Sequence, residues 1–413
     1  MPEFLELLPP AKALETLLQH LPAYHPAAHV VDTTAALDLV TASEILSPEP
    51  LPAFPRSTVD GYAVKAADTY GASEALPAYL KLVGEIPMGS KPTLTLQNGQ
   101  AALIHTGGML PEGCDAVVMI ENTQTVSPNE VEVFKPVAVG DNTLKMGEDV
   151  EPGQQVLPAG KKIGPADIGG LLALGILQVP VVLPPRVGIL SSGDEVIPPD
   201  QKPAIGQVRD INSATLSALV RKFGGNPVLY GIIPDHFETL LAAAQRAAQE
   251  CDMVIITAGS SASVRDLTAM AIQELGEPGV LVHGVNIKPG KPTILAVCNH
   301  KAIIGLPGNP VSALVIASLF VVPVIRSLLG LPASPPSPVL HARLTINVPS
   351  QAGREDWVPV RLLFTPEGLL ADPIFFKSNL ILTLAKADGM IRIVPEANGI
   401  AAGETVDVFQ PFG

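Results

Sequence analysis

The segment PPRVGILSSGDEV, residues 184–196, decides how the chain is to be read. Two prolines close off what precedes, an apolar run follows, and the run breaks into small and acidic residues. That is the pattern of a buried strand opening into a strand-to-helix loop. Two further segments repeat it, MVIITAGSSASVRD at 253–266 and AIIGLPGNPVSA at 302–313. Helical stretches alternate with them: NSATLSALVRKFG at 212–224, HFETLLAAAQRAAQ at 236–249 and DLTAMAIQELG at 266–276. This rhythm, from Pro185 to Leu329, predicts a parallel sheet with helices on both faces, a three-layer α/β domain. Ligands of such sheets bind beyond the carboxyl ends of the strands, where all three loops would gather.

Any one of these loops could be ordinary turn chemistry, but three at one sheet edge make a site. In the first, Ser192 and Gly193 let backbone N–H groups approach a ligand while Asp194 and Glu195 offer hard oxygen donors. The second is a hydroxyl-rich turn containing Ser261 and opening a helix with Asp266 near its start. In the third, after Pro307 and Gly308, Asn309 can cap a helix and Pro310 suits its first turn. Between the second and third lies NIKPGKP at 286–292, where Pro289 and Gly290 hold Lys288 and Lys291 in a stiff basic hook. The hook suits phosphate or another oxyanion, with a solvated turn as the plain alternative. Upstream, Asp60 in PAFPRSTVDGYAV, Thr106 in HTGGMLPEGCDAVV and Asp149 in GEDV read by themselves as turn residues or, for Asp149, as a helix cap.

Outward from the α/β region, Ala11–Leu21 has helical periodicity, Val30–Ser47 continues a first unit, and the prolines of Pro48–Phe54 suggest a linker. Short apolar runs broken by turns between Ala78 and Val139 predict an inserted β-rich domain. Gly153–Leu177 then returns to the first unit and ends in the helix-like ADIGGLLALGI, and LPASPPSP at 331–338 marks the last boundary. HARLTINV, DWVPVRLLF, MIRIVP and ETVDVF beyond it read as a small all-β domain. The expected domains are therefore 1–48 with 142–180, 49–141, 181–330 and 331–413. The chain has 413 residues, 47% hydrophobic and only 16% charged, so it is globular and holds several cores. A net charge of −14 and 4% aromatics argue against nucleic acid and against an anionic membrane surface. Cys114, Cys251 and Cys298 fit reduced thiols in a cytoplasm, and the histidines show no zinc-binding spacing. The start MPEFLELLPP lacks the pattern of a signal peptide. The apolar run Val311–Ile325 falls short of the ~18 residues of a membrane span and reads as a buried helix.

Taken together, STVDGYA, TGGMLPEGCDAVVMIE, GEDV, PPRVGILSSGDEV, NIKPGKP, GLPGNPVSAL and KADGMIRI closely resemble, in order and spacing, the MoeA family of molybdopterin molybdenumtransferases, related to the gephyrin E domain. The resemblance implies a homodimer of elongated four-domain subunits. These comprise an N-terminal helical/β domain with its β-rich insertion, a MogA-like α/β molybdopterin-binding domain and a C-terminal β-barrel-like domain. It implies that adenylylated molybdopterin and molybdate are the substrates, that Mg²⁺ assists and that AMP leaves. The molybdopterin adenylyltransferase and apo-molybdoenzymes would be its neighbours in the sequence of reactions. Carried over by motif, Asp60, Asp149, Glu195 and Asp266 would be catalytic, with Glu195 and Asp266 placing the metal. Thr106, Ser192, Gly193, Ser261, Lys288, Lys291, Pro307, Gly308, Asn309, Pro310 and Ser378 of FFKSNL would bind substrate. Asp60 and Thr106 would meet Glu195 and Asp266 across the dimer. The chain departs from the family at Ala258, Ser263 and Val264 of the serine loop and at Ile211 in RDINS. Those departures leave room for a pterin-binding paralogue that stores cofactor or handles tungstate, and the gephyrin relative suggests a scaffold as a further alternative.

Overall fold

The computed structural model describes residues 7–22, 27–258, 262–375 and 377–412, apart from the side chains of 262–265. The chain divides into two compact units, one of 30–37 and 43–180 and the other of 1–29, 38–42 and 181–413.

The first unit is built on a six-stranded sheet. Its strands are β1 (Gly61–Val64), β2 (Ala78–Glu85), β3 (Gln100–Ile104), β4 (Ala116–Met119), β5 (Thr123–Ser127) and β6 (Glu130–Val133), in the order β4-β1-β3-β2-β6-β5. Alternation along β1 sends Tyr62 and Val64 into one apolar cluster and Ala63 into another, so this strand is buried on both faces. Gly61 is obligatory at its start, because a Cβ there would lie 1.9 Å from the Val118 carbonyl oxygen. The proline-rich stretch at 48–54 is not a free linker. Leu51 donates to Val150 O and accepts from Asp149 N, both at 2.9 Å, and Pro52 accepts from Gly147 N at 3.0 Å. Proline lacks a donor but keeps its carbonyl, so one edge of the segment still pairs. The helix-like stretch ending at Ile176 forms a shorter helix, Pro165–Ala173, and the chain reverses at Gly175 with φ +69°.

In the second unit the expected α/β sheet contains β7 (Arg186–Ser192), β8 (Asn226–Ile233), β9 (Met253–Ala258), β10 (Pro278–His283), β12 (Ile294–Cys298) and β13 (Lys301–Pro307), in the order β8-β7-β9-β13-β12-β10. The first four are parallel, and the three strands read from sequence are neighbours among them. The sheet is mixed rather than wholly parallel, since β12 runs antiparallel to both β13 and β10. The cause is the two-residue connection Asn299–His300, with φ of 49° and 69°, a hairpin turn whose left-handed pair sequence alone signals weakly without glycine. Helices α1 (Pro10–His20), α2 (Asn212–Lys222), α3 (Phe237–Glu250), α4 (Ala262–Gln273), α5 (Pro310–Ile316) and α6 (Val322–Leu328) cover the sheet. Two apolar cores, one on each face, receive its alternating side chains. The apolar helix is longer than expected, 19 residues over Pro310–Leu328, but 78% of its most apolar window is buried inside the protein. Its middle turn, Ala317–Val321, widens to a π-turn just ahead of Pro323, whose ring would otherwise crowd the Leu319 carbonyl.

The C-terminal strands β14 (Pro338–Leu344), β15 (Glu355–Thr365), β16 (Gly368–Pro373), β17 (Gly389–Ile393) and β18 (Thr405–Phe409) follow the order β15-β16-β14-β18-β17. Pairing of β17 back to β15 closes them into a small barrel. A two-residue strand from the basic hook, β11 (Ile287–Lys288), adds to β15 in parallel, with Ile287 opposite Glu355 and Lys288 opposite Asp356. The hook is thereby stitched to the barrel.

Candidate functional site

Two neighbouring clefts occupy the carboxyl-end edge of the α/β sheet. The first, of about 340 Å³, has a hydroxyl floor. Ser191 at the end of β7 shares hydrogen bonds with Ser213 Oγ at 3.0 Å and Thr257 Oγ1 at 3.2 Å. Asp210 accepts from the Ser213 hydroxyl at 2.6 Å and from its N–H at 3.0 Å. The Ser192 hydroxyl donates to Asp235, whose own N–H donates to Asp194 at 3.1 Å. Gly193, with φ +151°, makes the tight turn that returns Glu195 to the rim, and a Cβ there would lie 2.7 Å from Val196. Glu195 is exposed and lines the cleft.

The second cleft, of about 500 Å³, is basic, with Lys288, Lys291, Arg354 and Lys377 on its walls. The hook holds its shape through the Thr293 hydroxyl on Gly290 O at 2.6 Å and Val285 N–H on Lys291 O at 2.9 Å. Gly290 packs so closely that a Cβ would come 2.3 Å from Ile316. Pro307, Asn309 and Ser378 complete the wall, and Asn309 lines both clefts. Asn309 does not cap α5 as expected. Its Nδ2 donates instead to the Ser378 hydroxyl at 3.1 Å, while Ser378 O accepts from Val311 N–H at 3.1 Å. The Nδ2 contact ties the Asn309 amide to the barrel domain, and Ser378 O itself satisfies a donor of the first turn.

Of the residues read from sequence, Ser192, Glu195, Gly308, Asn309 and Pro310 line the first cleft, and Lys288, Lys291, Pro307, Asn309 and Ser378 the second. Gly193 supports the first without lining it. Asp266 is an exposed carboxylate on α4, after the neighbouring strand β9, and Ser261 lies outside the described residues. In the other unit Asp60 and Thr106 do come together, with the Thr106 N–H at 2.8 Å and its hydroxyl at 3.2 Å from Asp60 Oδ1. The Thr106 N–H bond holds the Asp60 carboxyl below its ordinary range, against the opposing pull of desolvation and with smaller help from the Thr106 hydroxyl and His105. Asp149 is exposed and caps no helix, its N–H being engaged by Leu51 O.

Sequence reasoning missed Asp210, Asp235, Arg354 and Lys377. Asp235 had a signal, since NPVLYGII is followed by Pro234-Asp235 at the same sheet edge. Arg354 and Lys377 had none, because only closure of the barrel brings them to the hook. Among the described residues no three His, Cys, Asp or Glu side chains cluster closely enough to hold a metal ion by themselves.

The molecule thus combines an α/β domain, with a hydroxyl- and carboxylate-lined cleft beside a cationic one, and a small C-terminal β barrel. Family models agree in each part: "MoeA N-terminal region (domain I and II)" matches 8–175, "Probable molybdopterin binding domain" 188–327 and "MoeA C-terminal region (domain IV)" 341–410. The molybdopterin molybdenumtransferase of Bacillus subtilis is 33% identical over 89% of this chain and 86% of its own. That of Haemophilus influenzae is 31% identical over 97% and 98%. The crystal structure of a molybdopterin biosynthesis MoeA protein from Pyrococcus horikoshii, 38% identical, superposes with a TM-score of 0.81 over 99% of this chain and 100% of that one. The chain belongs to the MoeA family, and its role lies in molybdenum cofactor biosynthesis.

Proposed function

We propose that the protein transfers molybdenum from molybdate to adenylylated molybdopterin with release of AMP. The supporting observation is the pair of adjoining clefts that share Asn309, one suited to a polar heterocycle and its phosphates, the other to a tetrahedral oxyanion. The side chains of Lys288, Lys291 and Lys377 make no hydrogen bond or ion pair with a described residue, so their charge is available to an anion. In this reading the lysines hold molybdate beside the dithiolene. Ser192 and the amides around Gly193 and Gly308 hold the pterin phosphate, and Asp60 with Thr106 of the other subunit of the proposed dimer contributes further polar contacts. Water attacks phosphorus of the anhydride, the P–O–P bond breaks, and AMP carries away the leaving oxygen.

Glu195 and Asp266 are exposed carboxylates whose oxygens have no partner among the described residues, hard donors of the kind Mg²⁺ takes. This ion commonly takes one or two carboxylates and completes its shell with phosphate and water. Bound there, it would supply charge neutralisation at the phosphates. Lysines and backbone N–H groups offset the oxyanion charge that develops as the anhydride opens.

The same reading makes the protein a cytoplasmic homodimer with the four domains set out above. It also places the protein after the adenylyltransferase and before the apo-molybdoenzymes. Purified protein with adenylylated molybdopterin, molybdate and Mg²⁺ should release AMP and activate an apo-molybdoenzyme. Pterin binding without AMP release would favour a storage or tungstate-handling paralogue. The observation that favours this second reading is Ile211, one of the departures from the family motifs named above, an apolar side chain on the wall of the first cleft.

A further inference from the structure

On the strand flanking the basic cleft, side chains two residues apart share a face. Trp357 Nε1–H donates to Glu355 Oε1 at 2.7 Å on one face. On the other, Arg354 grips Asp356 at two points, Nε to Oδ1 at 2.6 Å and Nη2 to Oδ2 at 3.0 Å. The Asp356 side chain is only 5% exposed, whereas Arg354 keeps 27% of its surface and lines the cleft. Asp356 also stands opposite Lys288 in the β11–β15 ladder.

For a cleft that collects anions this is a costly neighbour. In terms of field alone, Asp356 cancels part of the positive charge around it, and a neutral residue would serve better. What the carboxylate adds is geometry. A two-point grip fixes the plane of the guanidinium and leaves its other N–H donors free for a ligand. The three lysines have flexible stems with no such anchor. We propose that Asp356 is a positioning residue for the basic cleft, holding Arg354 so that its remaining N–H groups meet a bound tetrahedral oxyanion. The proposal rests on reading that cleft as the oxyanion site.

Charge and geometry predict opposite signs, which makes the test decisive. Sodium molybdate is titrated calorimetrically into the full chain, the Asp356→Asn variant, the Arg354→Gln variant and the double variant. Positioning predicts about tenfold weaker binding in Asp356→Asn, and little further loss when that change is added to Arg354→Gln, because the two residues act as one unit. In turnover the same change should raise KM for molybdate more than it lowers kcat. Equal or tighter binding in Asp356→Asn overturns the proposal, as does an equal loss in both backgrounds, which would mark a general structural defect. Should Asp356→Asn fail to fold, Asp356→Glu keeps the charge and displaces the grip; weaker binding is expected there, and unchanged affinity overturns the proposal. If the unmutated chain binds no molybdate, the oxyanion reading fails and the positioning role goes with it. If it binds and the variants bind alike, only the positioning role is lost.

Discussion

Lys288 and Lys291 owe their place to the backbone of the hook, not to any side-chain partner of their own. Replacing either lysine with alanine should remove a charge-assisted contact worth about 1.5–3 kcal/mol, roughly ten- to a hundredfold in oxyanion affinity, with the melting temperature unchanged. Calorimetric titration with molybdate and a thermal melt check both halves of that statement. For Asp60 the main contact comes from the Thr106 backbone, so Thr106→Val should leave the carboxyl titrating below its ordinary range, shifted up only slightly, as read by carboxyl carbon NMR. The sign follows from linkage. A depressed carboxyl stabilises the fold above its unfolded-state pKa, and that contribution disappears as pH falls through the folded value. Glu355 behaves in the opposite sense, because burial pushes its carboxyl up despite the Trp357 N–H and the nearby Arg392. Its contribution is present below the unfolded pKa and is lost as pH rises through the folded one. Glu355→Gln keeps an acceptor for Trp357, so the variant should be the more stable protein at pH 8 and lose that advantage towards pH 4, as followed by thermal unfolding across the range. At this scale the lysines and Glu195 were legible because local motifs fix them. Arg354, Asp356 and Lys377 were not, since their meaning depends on a barrel strand reaching the hook across about sixty residues of sequence.

At the scale of elements, the three strand-to-helix loops could be read because each apolar run ends in small and acidic residues, and the parallel order of β7, β9 and β13 then places those ends together. The β12–β13 hairpin escaped the reading. Its turn uses Asn299 and His300 at positive φ, and ILAVC beside AIIGL looks like one more buried run. Pro48–Phe54 misled in the other direction, since prolines that suggest a linker still present carbonyls to a paired edge. One element end is secured by a residue that sequence gave no reason to notice. Lys301, the first residue of β13, donates to Ala248 O at 2.7 Å and to Cys251 O at 2.8 Å, closing the C-terminus of α3. A cation there satisfies two carbonyls and opposes the negative end of the helix. Lys301→Met, which keeps the apolar stem, should cost about 1–3 kcal/mol in urea unfolding and leave molybdate affinity alone.

For the whole molecule, the proposed homodimer makes a quantitative claim. Asp60→Asn and Glu195→Gln should each be inactive when pure. If each site draws Asp60 and Glu195 from different subunits, equal amounts reassorted at random should recover about a quarter of normal activity, because half the dimers are mixed and half of their sites are whole. Reassorted mixtures that stay inactive, with exchange confirmed by differently tagged chains, would show that each site draws on one chain. The stitching of β11 to β15 carries a last consequence, and it concerns inheritance. Proline-rich seams such as the one at 331–338 are where genes can exchange whole modules with little harm to folding. Here that freedom is restricted, because the terminal barrel brings the strand on which the hook rests, the arginine beside it and the serine that engages Asn309. A barrel borrowed from a distant relative could fold perfectly well and still leave the lysines without their neighbour. The hook and the barrel are therefore expected to descend as a linked pair, diverging together even though more than forty residues of chain lie between them.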